Sequence, residues 1–468
     1  MKYQLILQSQ KDFFHSGATL PVPYRLEVLS LLEGAIQNRQ EQIESALAED
    51  LGKSQQEAYS TEIAIVLSEL RYAKRHLNSW ARSKKAPVPL SHWPGRQQVT
   101  PVPYGSVLIL APWNYPFQLC LSPLISALAA GNCAVVKPSE LAGRTALVIC
   151  ALLEELFSPE YVSVCLGESD TAAALTALPF DKIFFTGSGT VGKKVLSAAA
   201  VNLTPVTLEL GGKSPCIVDS SADLKTAARR IMWGKILNCG QTCVAPDYVL
   251  VQRSVQETFI LQCRMALEEF LGVNPLASPD YGHIINSAHY HRLLGLLEGC
   301  QICFGREIDP QHLRLSPTLV DNPSLDAPIM QEEIFGPILP VLPFDRLEDA
   351  VQIVQNHPNP LAAYFFSRNK QALREMKKAF SYGSCCINDT VLHLASPYLP
   401  FGGIGQSGMG KSHGKYGFLT FSHLQGCYQR YGRIEPSLRY PPYTEKKLAW
   451  VKKQCICFNF NSFYPCIF

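Results

Sequence analysis

The chain has 468 residues, of which 47% are hydrophobic and 17% charged, so extended disorder is excluded and one hydrophobic core is too few; two or three domains are expected. Its 42 basic and 39 acidic side chains leave a net charge of +3, too balanced for a whole face to attract a polyanion, and nucleic acid is not an expected partner. Sixteen cysteines are spread thinly rather than packed as a disulfide framework, and the start Met1-Lys2-Tyr3-Gln4 leads into an apolar run too short for a secretory signal, which together predict a reduced, cytoplasmic protein.

Residues 22–82 carry helical spacing with many charges, as in Leu26, Leu29, Leu31, Leu32 and Ile36 and again from Ile43 to Leu51, and predict amphipathic helices that cover something else. After Pro87, Pro89 and Pro94, strand-like and helix-like pieces alternate: Val107–Leu110, 121–130, Ala134–Lys137, 141–156, Val162–Cys165, Lys182–Thr186, 190–200 and Pro205–Glu209. Such alternation predicts a parallel sheet with helices on both faces. The longest weakly apolar stretch, Leu119 to Val136, is broken by Pro123 and Gly131-Asn132 and reads as a buried helix turning into a strand, not a membrane span.

Between Ile183–Phe185 and the next helix lies Gly187-Ser188-Gly189-Thr190-Val191-Gly192, a GxGxxG match. It reads either as a pyrophosphate-binding turn at a helix N-terminus or as a plain turn with helix-packing glycines. The acid expected about twenty residues on would be Glu209. A second strand-and-helix series starts at Pro215-Cys216-Ile217-Val218 and runs to about residue 400, so cofactor and reacting groups would meet in an interdomain cleft. The end, Gln454 to Phe468, differs in composition, with three cysteines and five aromatics behind Lys446, Lys447, Lys452 and Lys453.

Two segments carry chemistry. Gly240-Gln241-Thr242-Cys243 closes a short polar turn with a thiol, and Glu209-Leu210-Gly211-Gly212 offers a carboxylate flanked by apolar residues, hence a candidate base whose pKa burial would raise toward neutrality. A single cysteine in such a turn is more often structural, and Asn114 between Trp113 and Tyr115 could merely shape a turn. Cys239, four residues before Cys243, reads as a packed thiol rather than a redox or metal partner, because no histidine with ligand spacing accompanies the pair, and no metal is expected. Cys133, Cys150, Cys165, Cys216 and the adjacent Cys385-Cys386 read as packing.

Seven ordered landmarks place these segments in one context: Ala111-Pro112-Trp113-Asn114-Tyr115-Pro116, Lys137-Pro138-Ser139-Glu140, Phe185-Thr186-Gly187-Ser188, Leu208-Glu209-Leu210-Gly211-Gly212-Lys213, Gly240-Gln241-Thr242-Cys243, Glu332-Glu333-Ile334-Phe335-Gly336-Pro337 and Pro400-Phe401-Gly402-Gly403. From about residue 20 to Tyr443 the chain resembles the aldehyde dehydrogenases, with the short amino-terminal extension and Arg439-Tyr440-Pro441-Pro442 resembling their class 3 (fatty and aromatic aldehyde) branch. The resemblance implies an α/β fold of two doubly wound parallel-sheet domains plus a small β bridging arm. It places an NAD(P)-binding domain at 1–82 and 102–209, a catalytic domain at 210–400, the arm at 83–101 and 418–443, and a tail at 444–468; arms of this kind imply a homodimer.

By the same resemblance Cys243 attacks the aldehyde carbon, Asn114 and the Cys243 N–H face the resulting oxyanion, and Glu209 activates the water that hydrolyses the thioester. Glu333 is implied at the nicotinamide ribose with Phe335 beside it, and the division of base work between Glu209 and Glu333 stays open. Lys137 and Glu140 flank the adenine ribose, and Gly187, Ser188, Val191 and Gly192 belong to the phosphate turn. A carboxylate at Glu140 repels a 2′-phosphate, so NAD is favoured over NADP. Trp113, Tyr115 and Phe401 line the implied tunnel for a medium- or long-chain aliphatic, or an aromatic, aldehyde.

The segment with His413 and Lys415 reads either as a cover for the entrance or as a solvated helix. Two rivals stand beside hydrolysis: acyl transfer to coenzyme A, in which Glu209 would have little purpose, and a binding protein that kept the fold without the reaction. Some class 3 relatives carry a carboxyl-terminal membrane helix or a prenylated cysteine. Here the last fifteen residues are too few to span a bilayer and Cys466 stands third from the end, which leaves surface attachment through the lysines, Cys455 and Cys457.

Overall fold

The computed structural model describes residues 2–89, 92–432 and 437–457. The alternating pieces after residue 102 form a six-stranded sheet in the order Gly408–Met409, Val206–Glu209, Lys182–Thr186, Ser106–Leu110, Cys133–Lys137, Val162–Val164. All neighbours are parallel except the first pair. Ser106–Leu110 and Cys133–Lys137 are buried along their whole length, which is why their sequences are continuous rather than alternating apolar runs. The chain steps outward from Ser106–Leu110 through Cys133–Lys137 to Val162–Val164, then crosses back to Lys182–Thr186. The topological switch therefore lies between the carboxyl ends of Ser106–Leu110 and Lys182–Thr186, where ligands bind in doubly wound sheets.

Helices Val22–Asn38, Gln40–Leu51 and Ala64–Trp80 cover this sheet through Leu29, Leu32, Ile36, Leu47, Leu70 and Leu77, packed with Leu121, Leu124 and Leu128 of helix Gln118–Ala130. A helix that the periodicity does not announce, Lys2–His15, precedes them. Its buried Gln10 docks on the first sheet, donating to the Ala134 carbonyl at 2.8 Å and accepting from Ser106 Oγ at 2.6 Å.

The second sheet has seven strands in the order Ile302–Phe304, Thr318–Asp321, Ile338–Phe344, Tyr248–Gln252, Pro215–Val218, Ala362–Phe366, Ser384–Ile387, with only the first pair antiparallel. Helices Leu224–Ile236 and Gln256–Leu271 pack on one face through Ile231, Phe259 and Leu267. Ser287–Leu296, Leu347–Gln355 and Lys370–Ala379 pack on the other through Leu293, Val354 and Met376. Lys84–Ala86, Gly95–Pro103 and Ser422–Arg430 make a separate antiparallel sheet, and residues 423–429 of its outer strand are exposed. Among the described residues no helix is long and apolar enough to cross a membrane. Residues 458–468 of the tail, and with them Cys466, lie outside the described residues, as do the side chains of Cys455 and Cys457.

A buried ion pair fixes the loop at the switch point. The π-helical turn Tyr59–Ile63 carries Glu62, whose Oε2 accepts from the backbone N–H groups of Phe117 (3.0 Å) and Gln118 (2.9 Å) at the start of helix Gln118–Ala130. Its Oε1 accepts from Lys53 Nζ at 2.5 Å. Lys53 also reaches the Asn114 carbonyl at 3.3 Å and lies 4.0 Å from the centre of the Tyr115 ring. Removing the cation leaves a buried carboxylate without its partner. We predict that Lys53→Met lowers unfolding free energy by ~3–5 kcal/mol, and that the Lys53→Met/Glu62→Leu double variant loses less than the two single losses added, as read by urea denaturation.

Candidate active site

Helix Leu224–Ile236 ends in a turn in which Asn238, Cys239 and Gly240 take φ of +50°, +52° and +73°. Two consecutive non-glycine residues in the left-handed region need support, and side-chain amides provide it. Asn238 Nδ2 donates to the Asn114 carbonyl at 2.7 Å and to the Gln241 carbonyl at 3.2 Å, and the Asn238 N–H donates to Glu57 Oε1 at 2.7 Å. Gln241 Nε2 donates to the carbonyls of Asn238 (3.1 Å) and His283 (3.0 Å), while its Oε1 accepts from the Ile285 N–H at 3.0 Å. At Gly240 a Cβ would collide with the Gly336 carbonyl, so the turn seats directly on the segment after Glu333. The outcome is a thiol at Cys243 that is partly exposed between buried Thr242 and Val244.

Asn114 leaves the end of strand Ser106–Leu110 and is buried. Its Nδ2 donates to the Gln241 carbonyl at 3.0 Å, two residues before Cys243. A primary amide has two N–H donors, so this bond occupies one and orients the other. Tyr115 hydroxyl and Thr242 Oγ1 lie 2.7 Å apart, a second clasp between the same two segments. Tyr115 is buried against Lys53, and its observed contacts are those of a brace.

Glu209 ends strand Val206–Glu209 and is buried; burial pushes its carboxyl up to about 8, against the opposing hydrogen bond from Ser412 Oγ at 3.0 Å. Glu333 is likewise raised to about 8 by burial and then by Asp247, opposed by the Gly212 N–H, Lys213 and Arg292. Its carboxylate rests on the Gly211 Cα, where a side chain would collide with it. Both acids act on the same thiol: burial first, then Glu333 and Glu209, push Cys243 up, while its own N–H and that of Val244 favour the thiolate. Cys243, Glu209 and Glu333 therefore share one field, although they come from different elements.

Glu333 owes its place to a pair to which the sequence analysis assigned no role. Buried Lys213 bonds to Asp247 and donates to the carbonyls of Ile329 and Glu332, each at 2.8 Å, and Asp247 Oδ1 accepts from the Ile334 N–H at 2.9 Å. Phe335 follows with φ of +50°, its ring edge-on to Trp113 at 5.4 Å; Trp113 also meets the His289 ring at 5.1 Å. Phe401 is buried, pairs by backbone with Ser412, and places its ring 5.0 Å from that of His413.

The remaining candidates stand along the carboxyl edge of the first sheet. Lys137, at the end of Cys133–Lys137, is buried and ion-paired with the part-exposed Glu140. Ser188 caps helix Gly189–Ala200, its Oγ accepting from the Val191 N–H at 3.4 Å, with Val191 exposed. Gly192 is buried against Leu210, and Gly187 packs on Phe185 while its N–H donates to the Glu209 carbonyl at 3.0 Å. A Cβ at Gly189, the first residue of that helix, would meet nothing within 4 Å. The contacts of Lys137, Glu140 and Ser188 are local, and none of them reaches Cys243. Lys53, Glu62, Asp247, Asn238 and Ser412 were missed by the sequence analysis; each acts through a partner far away in the chain, and no local spacing marks them.

A profile of the aldehyde dehydrogenase family matches residues 2–426. The chain is 47% identical over 438 residues to the 4,4'-diaponeurosporen-aldehyde dehydrogenase of Staphylococcus aureus, spanning 93% of this chain and 95% of that one. It is 43% identical to aldehyde dehydrogenase family 3 member A2 of Mus musculus, spanning 94% and 92%. The solved substrate-bound state of Staphylococcus aureus AldH matches with a TM-score of 0.94 and 45% identity over 96% of this chain and 99% of that chain. Indole-3-acetaldehyde dehydrogenase complexed with NAD+ matches at 0.84 and 29%, over 92% and 89%. With the whole architecture and most of its length shared, the chain belongs to the aldehyde dehydrogenase family, in its class 3 branch, and is an oxidoreductase acting on aldehydes.

Proposed function

We propose that the protein oxidises medium- or long-chain aliphatic, or aromatic, aldehydes to carboxylic acids through a thioester on Cys243. The observation that carries this reading is a part-exposed cysteine, two residues after the carbonyl that Asn114 grips, in the field of buried Glu209 and part-buried Glu333. The Cys243 thiol gives its proton to one of the two carboxylates that act on it, Glu209 or Glu333, and its sulfur bonds to the aldehyde carbon. The second N–H of Asn114 and the Cys243 N–H stabilise the oxygen that gains charge, a donor of this kind contributing about 3–4 kcal/mol. When bound, an oxidised nicotinamide dinucleotide supplies the acceptor for the electron pair of the aldehyde C–H bond. Glu209 then takes a proton from water as its oxygen attacks the thioester, and the C–S bond breaks with its electrons on sulfur.

The dinucleotide is placed at the switch point of the first sheet, its phosphates at the start of helix Gly189–Ala200 by Gly187, Ser188, Val191 and Gly192, its adenine ribose by Lys137 and Glu140, and its second ribose by Glu333 beside Phe335. The open space at Gly189 and the carboxyl edge on which these residues stand support this. The Glu140 carboxylate favours NAD over NADP. Trp113 and Phe401 offer apolar surface toward the aldehyde, with Tyr115 bracing the loop between them. The first sheet with its covering helices is read as the NAD(P)-binding domain and the second as the catalytic domain. The arm, whose outer strand stands last in its three-stranded sheet with residues 423–429 exposed, is read as joining a second copy in a homodimer.

The reading is tested by NADH and NADPH formation with hexanal, decanal, hexadecanal and benzaldehyde, with the acid product measured; a correctly folded enzyme silent on all four would overturn it. Cys243→Ala is expected to abolish oxidation and to retain NAD binding by fluorescence titration. A base must be ionised to accept a proton, so with Glu209 at about 8 the hydrolytic step is expected to rise with pH up to that value and level off above it, seen in the kcat profile.

A further inference from the structure

The two oxygens of Glu209 are not equivalent. Oε1 accepts from Ser412 Oγ at 3.0 Å, whereas Oε2 is buried and has no hydrogen-bond partner among the described residues. The Ser412 hydroxyl is itself fixed. Its backbone is tied to Phe401 in both directions, Ser412 N–H to the Phe401 carbonyl at 2.6 Å and Phe401 N–H to the Ser412 carbonyl at 3.3 Å, and Oγ lies 3.0 Å from His413 Nδ1. Three residues back, Gly408–Met409 pairs with Glu209 and Leu208, which ties the chain leading to Ser412 to the strand that ends in the carboxylate.

A serine hydroxyl has one proton to give and two lone pairs to receive, and an ionised carboxylate can only accept. With Glu209 ionised, the Ser412 proton therefore points to Oε1 and His413 Nδ1 faces Oγ as the donor. We propose that Ser412 is a positioning residue for thioester hydrolysis: it occupies Oε1, leaves Oε2 as the oxygen that receives the water proton, and is itself oriented by His413. The proposal rests on the assignment of Glu209 as the base. In the step it serves, water oxygen bonds to the thioester carbon, one water proton passes to Oε2, and the C–S bond breaks with its pair on Cys243. Attack of Cys243 on the aldehyde needs the thiol proton removed, a task open to Glu333 as well as Glu209, whereas hydrolysis rests on Glu209 alone in this reading, so the two halves of the reaction depend on Ser412 differently.

The serine also sets when the base is ready, because a donor to the ionised form holds a carboxyl down. The titratable groups facing Glu209 are Cys243 and, through Ser412, His413; the flanking strands present Thr186 and Gly408 opposite it, neither of which titrates.

The test uses Ser412→Ala and Ser412→Thr with hexanal and NAD, following NADH, acid, and acyl-Cys243 by intact mass after acid quench, with Glu209→Gln as reference. Ser412→Ala is expected to accumulate the acyl-enzyme, lower kcat about tenfold, raise the apparent pKa of the kcat profile by about one unit, and leave kcat/KM for the aldehyde within about twofold, so that KM falls with kcat. Ser412→Thr, which keeps the hydroxyl, is expected to return all of these toward the parent enzyme. An unshifted pH profile without acyl-enzyme accumulation in Ser412→Ala would overturn the proposal. So would loss of acyl-enzyme formation in a folded, NAD-binding variant, which would assign Ser412 to the attack step. A Glu209→Gln enzyme that turns over normally would remove the base assignment and the proposal with it.

Discussion

The hydrogen bond from Asn114 to the Gln241 carbonyl is the contact on which the site turns. It joins the carboxyl end of the first sheet to the cysteine turn of the second, two residues before Cys243. Neither end stands by itself. Asn114 is held by Lys53 and Asn238 at its carbonyl, Lys53 by Glu62, and Glu62 by the amides that begin the next helix. Gln241 is held by a loop at His283 and Ile285. An amide positioned by so many fixed partners needs little reorganisation when charge develops beside it, which is the physical content of preorganisation.

The electrostatics of the pocket work in the opposite direction to those of a salt bridge. Three acids, Cys243, Glu209 and Glu333, sit where water is scarce, and burial holds each of them toward its neutral form. The nearest strong cation to Glu333, Lys213, is already engaged by Asp247 and by two carbonyls, so it steadies the loop while its charge is largely spent. Such a pocket keeps its proton acceptors poised near neutral pH rather than permanently ionised.

The sequence made the fold legible wherever a strand is buried on both faces, because Val107–Leu110 or Ala134–Lys137 can be read as nothing else in that alternation. The candidate cysteine, glutamates and asparagine stood in short ordered motifs, and the fold brings Glu333 and Glu209 to bear on Cys243. Helix Lys2–His15 escaped notice because its apolar docking residues, Ile6, Leu7 and Phe13, are interrupted by a buried glutamine that bonds to the sheet. The supporting shell escaped for a related reason. Lys53 binds Glu62 and Asn114, Lys213 binds Asp247, and Ser412 lies 203 residues from Glu209, so hydrogen-bond complementarity across the fold defines them and local periodicity does not.

The return of Gly408–Met409 to the edge of the first sheet changes what counts as a separable unit. A boundary near residue 400, natural from the two series of strands, would cut off the segment that closes the sheet beside Glu209. The truncated chain would expose Val206–Glu209 as an open edge of unpaired amides and carbonyls, a template for pairing with another molecule. The two halves are thus sewn together by the last stitch of the chain, and neither is a cassette that could be moved to another protein without first hemming that edge.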